Sequence, residues 1–181
     1  MFLSYRSLPN LISLGRLFLA PAIIALIADE GWKEACVIFI AAGISDAVDG
    51  WIAKTFGFSS ELGAYLDPLA DKALIVSIYV ALAIVSVLPV TITIIVVARD
   101  VMIIGAFMIS LIMQKPVKVR PLLISKLNTA AQLGFAALVL GAKAFEIPEG
   151  IWFDAGLYAV AALTIASTAA YFVQWIKHMN F

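Results

Sequence analysis

Residues 46–71 read DAVDGWIAKTFGFSSELGAYLDPLAD and place four aspartates, at positions 46, 49, 67 and 71, within an apolar chain. The 181-residue sequence is 64% hydrophobic and 13% charged, and its formal net charge is zero. Soluble domains are about 45–50% apolar and about 25% charged. The composition therefore predicts an integral membrane protein, and the balanced charge argues against a nucleic-acid partner.

Apolar stretches on both sides of this segment are long enough to cross a bilayer, whose core of about 30 Å requires about 20 residues of helix. Charged residues, Pro and Gly divide the chain into six candidate transmembrane helices, at 10–29, 33–54, 62–87, 89–113, 121–142 and 151–175. Residues 1–9 are expected to form a short interfacial segment. The sequence thus predicts one all-α membrane domain over residues 1–181.

Basic residues are concentrated on one side of the predicted bundle. The loop at 114–121 contains Lys115, Lys118 and Arg120, whereas the loops on the opposite side are mainly acidic. Because positive charge is retained in the cytoplasm, both termini are expected to be cytoplasmic.

The four aspartates are costly in such a chain, since a carboxylate near the centre of a membrane helix costs about 2.5–3.5 kcal/mol. Asp46 and Asp49 are three residues apart, and Asp67 and Asp71 are four apart, so each pair is expected to share one helix face. A short loop between the two helices would let the faces converge. Four converging carboxylates repel one another, and their oxygen atoms suit Mg²⁺, Mn²⁺ or Ca²⁺ rather than zinc.

Physical reasoning alone leaves three interpretations open, of which metal-assisted chemistry is favoured. A membrane cation carrier would use the carboxylates as a relay. A structural protein would instead pair them with Lys54, Lys72 and Arg99. Small residues at Gly50, Ala53 and Gly63 would allow close approach of a helix or a ligand.

The pattern from 46 to 71 resembles the signature of the CDP-alcohol phosphotransferase (CDP-alcohol phosphatidyltransferase) family, which has eight defined positions over these 26 residues. One position departs from it, because Lys54 stands where the family usually has Arg. Lysine keeps the positive charge but loses the bidentate geometry that arginine offers to phosphate. The matching residues are Asp46, Asp49, Gly50, Ala53, Gly63, Asp67 and Asp71.

The resemblance implies a homodimer of six-helix subunits in a bacterial or mitochondrial inner membrane, with an active site that opens to the cytoplasm or matrix. Two divalent cations, Mg²⁺ or Mn²⁺, would be held by the four aspartates, and Asp71 would also be the catalytic base. The expected CDP-binding residues are Gly50, Ala53, Lys54 and Gly63, joined by Asn10 from the first helix.

Two later stretches, ARDVM at 98–102 and PLLISKLNTAAQ at 121–132, are similar to the eukaryotic-type cardiolipin synthases of this family. Its phosphatidylglycerophosphate synthases typically have Arg-Glu in place of Arg99-Asp100, and Gly-Lys in place of Ser125-Lys126. The implied reaction transfers a phosphatidyl group from CDP-diacylglycerol to phosphatidylglycerol and releases CMP. Glycerol 3-phosphate is the alternative acceptor.

Both acceptors are anionic, so Arg99 and Lys126 are expected to bind them. Ser125, Asn128 and Gln132 lie on one face of the fifth helix. They are expected either to form interhelical hydrogen bonds or to line the cavity.

Overall fold

The computed structural model describes the backbone of residues 8–56, 61–112 and 122–179, and side chains chiefly within 18–45, 72–105 and 122–177. The secondary structure of these residues is entirely helical, which confirms the all-α prediction. The predicted interfacial segment lies mostly outside the described residues, and Leu8 and Pro9 belong to the first helix. The helices are α1 (Leu8–Ala28), α2 (Trp32–Phe56), α3 (Glu61–Ile84), α4 (Val90–Ile112), α5 (Leu123–Ala144) and α6 (Ile151–Met179).

Two helical segments in the described part of the chain, Leu123–Ala144 and Ile151–Lys177, are long and apolar enough to cross a membrane. Phe18–Ala28 and Lys72–Ile84 are shorter apolar segments. Together with the apolar composition, these segments support the assignment of the chain as a membrane protein, and the six-span arrangement stays a prediction.

Three helices end in the same type of turn. After α1, α3 and α5, a residue other than glycine adopts the left-handed conformation: Glu30 (φ 59°), Ser86 (φ 59°) and Glu146 (φ 56°). The next amide then reaches back to a carbonyl of the last helical turn, which is the Schellman arrangement. These bonds join Gly31 N to Leu26 O, Val87 N to Leu82 O and Ile147 N to Ala142 O, each at 2.8 Å.

The first compact unit comprises Met1–Val87 and Ala137–Ile147. Within it α1 packs against both α2 and α3. Among its described residues the buried side chains are apolar, and they include Ile23, Ile27, Phe39, Ile78, Tyr79, Leu82 and Leu140. This unit contains the helices that bear the four aspartates.

The second compact unit comprises Leu88–Ala136 and Pro148–Phe181. Within it α4 packs against α6, and the rings of Phe135 and Phe153 bring α5 and α6 together with centroids 5.7 Å apart. Gly156 permits this approach, because a Cβ atom at that position would lie 2.4 Å from Phe135 Cδ2. The interior of this unit also holds polar residues: Thr93, Arg99, Asp100, Asn128, Gln132, Thr164 and Ser167.

Candidate active site

The structure places the predicted metal-binding residues on two helices of the first unit. Asp46 and Asp49 belong to α2, and Asp67 and Asp71 belong to α3. Their side chains lie outside the described residues. The same holds for the predicted CDP-binding residues, which are Gly50, Ala53 and Lys54 on α2, Gly63 on α3 and Asn10 on α1.

Chain length limits the distance between the end of α2 and the start of α3, the two helices that bear the aspartates. Phe56 ends α2 and Glu61 begins α3, and five residue steps span at most about 18 Å. Along each helix, a spacing of three or four residues corresponds to about 4.5–6 Å of rise. Carboxylate oxygens are ligands that Mg²⁺ and Mn²⁺ accept, and the metal site on the four aspartates stays a prediction. Elsewhere in the described chain, no group of three or more His, Cys, Asp or Glu residues is placed to hold a metal ion.

The second unit contains a buried polar cluster centred on Arg99 of α4, whose exposed fraction is 2%. Its Nη1 is ion-paired with the carboxylate of the neighbouring Asp100. Its Nη2 donates to Ser125 Oγ on α5 at 2.5 Å and to Ser167 Oγ on α6 at 3.1 Å. The ring of Tyr171 on α6 lies 5.9 Å from the guanidinium carbon. Arg99 therefore links three helices of this unit.

Deeper in the same cluster, three buried side chains form a hydrogen-bonded chain between α5 and α6. Gln132 Nε2 donates to Thr164 Oγ1 at 3.2 Å, and Thr164 Oγ1 donates to Asn128 Oδ1 at 2.9 Å. All three residues have an exposed fraction of 0%. With the bond from Arg99 to Ser125, the expected interhelical hydrogen bonding of the α5 face is confirmed.

Two donor atoms in this cluster have no hydrogen-bond partner among the described residues. They are Arg99 Nε and Asn128 Nδ2. A buried donor without an acceptor costs about 1–3 kcal/mol, and more when the group is charged. Such atoms call for a specific explanation, such as an ordered water or a ligand.

Lys126, the other predicted acceptor-binding residue, has an exposed side chain. It follows Ser125 on α5 and therefore points about 100° away from the Arg99 cluster. The structure thus brings Arg99 together with Ser125, and the described hydrogen bonds of the cluster do not include Lys126.

Sequence reasoning missed the contribution of α6. Thr164, Ser167 and Tyr171 recur at intervals of three and four residues and so share one face. That spacing is the available signal, although isolated hydroxyls are common in apolar helices.

Known proteins similar to the chain include two mammalian enzymes. It is 35% identical over 182 residues to "Cardiolipin synthase (CMP-forming)" of Rattus norvegicus, with 92% of this chain and 60% of the relative aligned. The human protein of the same name is 35% identical, with 90% and 59% aligned. "CDP-diacylglycerol--glycerol-3-phosphate 3-phosphatidyltransferase 1, chloroplastic" of Oryza sativa subsp. japonica is 33% identical, with 94% and 57% aligned. The chain thus spans about 60% of the length of these relatives.

The family model described as CDP-alcohol phosphatidyltransferase matches residues 6–175. This match covers both helices that bear the aspartates, together with α4, α5 and α6 up to residue 175. The match extends the resemblance of the segment at 46–71 to nearly the whole sequence. The chain therefore belongs to the CDP-alcohol phosphatidyltransferase family.

Proposed function

We propose that the protein transfers a phosphatidyl group from CDP-diacylglycerol to the free hydroxyl of phosphatidylglycerol, forming cardiolipin and CMP. The observation that carries this proposal is the 35% identity to two CMP-forming cardiolipin synthases over 92% and 90% of the chain. Family membership supports the donor and the reaction type. The similarity to these two relatives supports phosphatidylglycerol as the acceptor.

The four aspartates would provide the metal-binding chemistry. Asp46, Asp49, Asp67 and Asp71 would hold two divalent cations, Mg²⁺ or Mn²⁺, which neutralise the diphosphate of the donor when bound. The oxygen of the acceptor hydroxyl attacks the lipid-side phosphorus, and the bond from that phosphorus to the CMP oxygen breaks. Asp71 takes the hydroxyl proton, a contribution typically worth about 10²–10⁴ in rate.

The nucleotide would lie beside the aspartates on α2 and α3. Gly50, Ala53 and Gly63 lack large side chains and so allow close approach of the cytidine and diphosphate. Lys54 supplies a positive charge for the phosphates, and Asn10 supplies a polar contact from α1. All five positions belong to the first unit.

The acceptor would be recognised by Arg99 and Lys126. Arg99 presents a buried guanidinium held by partners on two further helices. Lys126 is exposed at the start of α5, where it would attract the anionic headgroup from the membrane surface.

We infer that residues 1–181 form a single membrane domain of six transmembrane helices. The shortest helix, α1, has 21 residues, which corresponds to about 31 Å and is enough to cross the bilayer core. The positive-inside rule supports an active site on the cytoplasmic or matrix side, and the family resemblance supports a bacterial or mitochondrial inner membrane. We also propose that the protein is a homodimer.

The second candidate function, a sister activity in the same family, is that of a phosphatidylglycerophosphate synthase with glycerol 3-phosphate as the acceptor. The rice relative, 33% identical over 189 residues, is a glycerol-3-phosphate phosphatidyltransferase by name. Glycerol 3-phosphate and phosphatidylglycerol both contain a glycerol with a free hydroxyl joined to a phosphate, so the two candidates differ only in the acceptor.

The test is to incubate purified protein with CDP-diacylglycerol and Mg²⁺ or Mn²⁺, with phosphatidylglycerol in one reaction and glycerol 3-phosphate in another. We expect CMP and cardiolipin in the first reaction only, and loss of both when Asp71 is changed to Asn. Product in the second reaction only would assign the sister activity. Metal flux into vesicles without CMP release would point instead to a cation carrier.

Lys54 offers an internal check on the nucleotide site. If it neutralises phosphate, Lys54→Arg should preserve or raise the activity, because arginine keeps the charge and adds bidentate contacts. A large loss would contradict the assignment of Lys54 to the CDP-binding residues.

A further inference from the structure

We propose that Asn128 is an acceptor-binding residue whose Nδ2 donates to an oxygen of the phosphoglycerol group, as the deepest contact of a subsite shared with Arg99 Nε. The proposal rests on the acceptor role of Arg99 given above. It adds a residue on α5 and the chemistry of its ligand, which is common to phosphatidylglycerol and glycerol 3-phosphate.

The partners of Arg99 leave one edge of its guanidinium for a ligand. Nη1 is paired with Asp100, and Nη2 donates to both Ser125 and Ser167. Nε remains without a partner among the described residues, although the side chain is nearly fully buried. A buried charged donor is expected to have an acceptor, and a phosphate or hydroxyl oxygen would provide it.

Asn128 presents a second donor of the same kind. Its Oδ1 accepts from Thr164 at 2.9 Å, while within the described chain its Nδ2 has no acceptor. Asn128 lies three residues after Ser125, so it is on the same helix face about 4.5 Å further along the axis. Because Ser125 accepts from Arg99, Asn128 lies about one helical turn along α5 from the residue that contacts the guanidinium.

The charge balance of the cluster makes these two hydrogen-bond donors important for binding an anionic headgroup. Asp100 is ion-paired with the guanidinium of Arg99, so the described side chains of the cluster carry little net positive charge with which to attract an anion. Affinity for the headgroup must then depend on hydrogen bonds from well-placed donors.

Burial along the cluster indicates where a headgroup would enter. Ser125 and Tyr171 are half-buried, whereas Asn128, Gln132 and Thr164 are fully buried. A headgroup would therefore pass Ser125 and Arg99 before reaching Asn128.

The test compares two nearly isosteric variants on the same face of α5, Asn128→Leu and Gln132→Met, in the full-length protein. Asn128→Leu removes the unmatched donor, and the Thr164 hydroxyl can then bond to its own helix. A lost hydrogen bond to a charged group corresponds to about a tenfold to hundredfold change. We expect the KM for phosphatidylglycerol to rise by that factor, with the KM for CDP-diacylglycerol and the melting temperature nearly unchanged.

Gln132→Met removes a donor that is already used by Thr164. It should leave the KM for phosphatidylglycerol unchanged, whether or not the melting temperature falls. An unchanged KM for phosphatidylglycerol in Asn128→Leu, or an equal rise of this KM in both variants, would overturn the proposal. Asn128 would then contribute to packing alone.

Ligand-induced stabilisation separates this proposal from the proposed reaction. Thermal melting in detergent is measured with phosphatidylglycerol in mixed micelles, with glycerol 3-phosphate and with inorganic phosphate. Stabilisation of the wild type by one of these probes, lost in Asn128→Leu and kept in Gln132→Met, supports the subsite even if no acceptor is turned over. Failure of all three probes to stabilise the wild type would overturn it.

Discussion

Arg99 of α4 donates from Nη2 to Ser167 Oγ of α6 across 3.1 Å, although 68 residues separate them in the sequence. Ser167 has an exposed fraction of 0%, so this bond lies in the interior of the second unit. A second Nη2 bond, to Ser125 Oγ, comes from α5. The guanidinium is thus oriented by hydroxyls on two helices, and its direction depends on both.

Ser167 should act as a positioning residue for Arg99. In Ser167→Ala we expect the KM for phosphatidylglycerol to rise about 2- to 12-fold, which corresponds to the 0.5–1.5 kcal/mol of a typical hydrogen bond. The kcat should change little, because the reacting groups belong to the proposed aspartate site. Steady-state kinetics with CDP-diacylglycerol held at saturation would measure both.

Thr168 provides the matched control for that variant. Its hydroxyl donates to the carbonyl of Thr164 in its own helix at 2.7 Å, so Thr168→Ala should leave both parameters unchanged. Ser167→Thr should restore the KM, because it retains the hydroxyl. A rise of equal size in Thr168→Ala would show a general effect of α6 packing.

Asp100 should be important for stability. Asp100→Asn leaves the buried Arg99 without its anionic partner, and breaking a buried ion pair typically costs about 3–5 kcal/mol. For a chain of this size that corresponds to a fall of at least about 6 °C in melting temperature, measured by thermal unfolding in detergent.

The control for Asp100 is Asp154, an exposed carboxylate in the first turn of α6. Asp154→Asn should lose only the helix-dipole interaction, about 0.3–1 kcal/mol. If the two variants melted at the same temperature, the pair between Arg99 and Asp100 would contribute little to the fold.

The close approach of α5 and α6 predicts that a larger residue at Gly156 destabilises the protein. Gly156→Ala would place a methyl group 2.4 Å from Phe135 Cδ2, and Phe135 is only 3% exposed. We expect a loss of about 1–3 kcal/mol, as for other over-packed cores. Chemical unfolding in mixed micelles would measure it.

Gly134 on α5 serves as the comparison, because a Cβ atom there meets nothing within 4 Å. Gly134→Ala should stabilise the protein by up to about 1 kcal/mol through helix propensity. Destabilisation by both changes to a similar extent would contradict the assigned contact between Gly156 and Phe135.

The helices could be predicted from the sequence, because long apolar runs are strong signals. The location of the aspartates on the second and third helices followed from the same runs. The end of α3 was less predictable. The apolar run continues to Val87, but the helix stops at Ile84, since Ser86 turns into the left-handed conformation. Serine carries no clear signal for that conformation, which glycine or asparagine would have given.

Within the Arg99 cluster, the arginine was predictable because a charge in an apolar helix is exceptional. Its partners Ser167 and Thr164 were not, since single hydroxyls in such a helix can bond to their own backbone, as Thr168 does. Only the packing of α5 and α6 around α4 distinguishes the hydroxyls that reach another helix from those that do not.

The left-handed turn after α3 predicts that glycine in place of Ser86 stabilises the protein. Ser86 has φ 59°, a conformation that costs a residue with a Cβ atom about 1–2 kcal/mol. Glycine avoids that cost but loses about 0.5–1 kcal/mol through the greater freedom of the unfolded chain. Ser86→Gly should therefore raise the free energy of unfolding by about 0.5–1 kcal/mol, whereas Ser86→Ala, which keeps the Cβ atom, should give no gain. Thermal unfolding of the two variants beside the wild type would decide this, and an equal gain from alanine would show that φ at residue 86 is not the source.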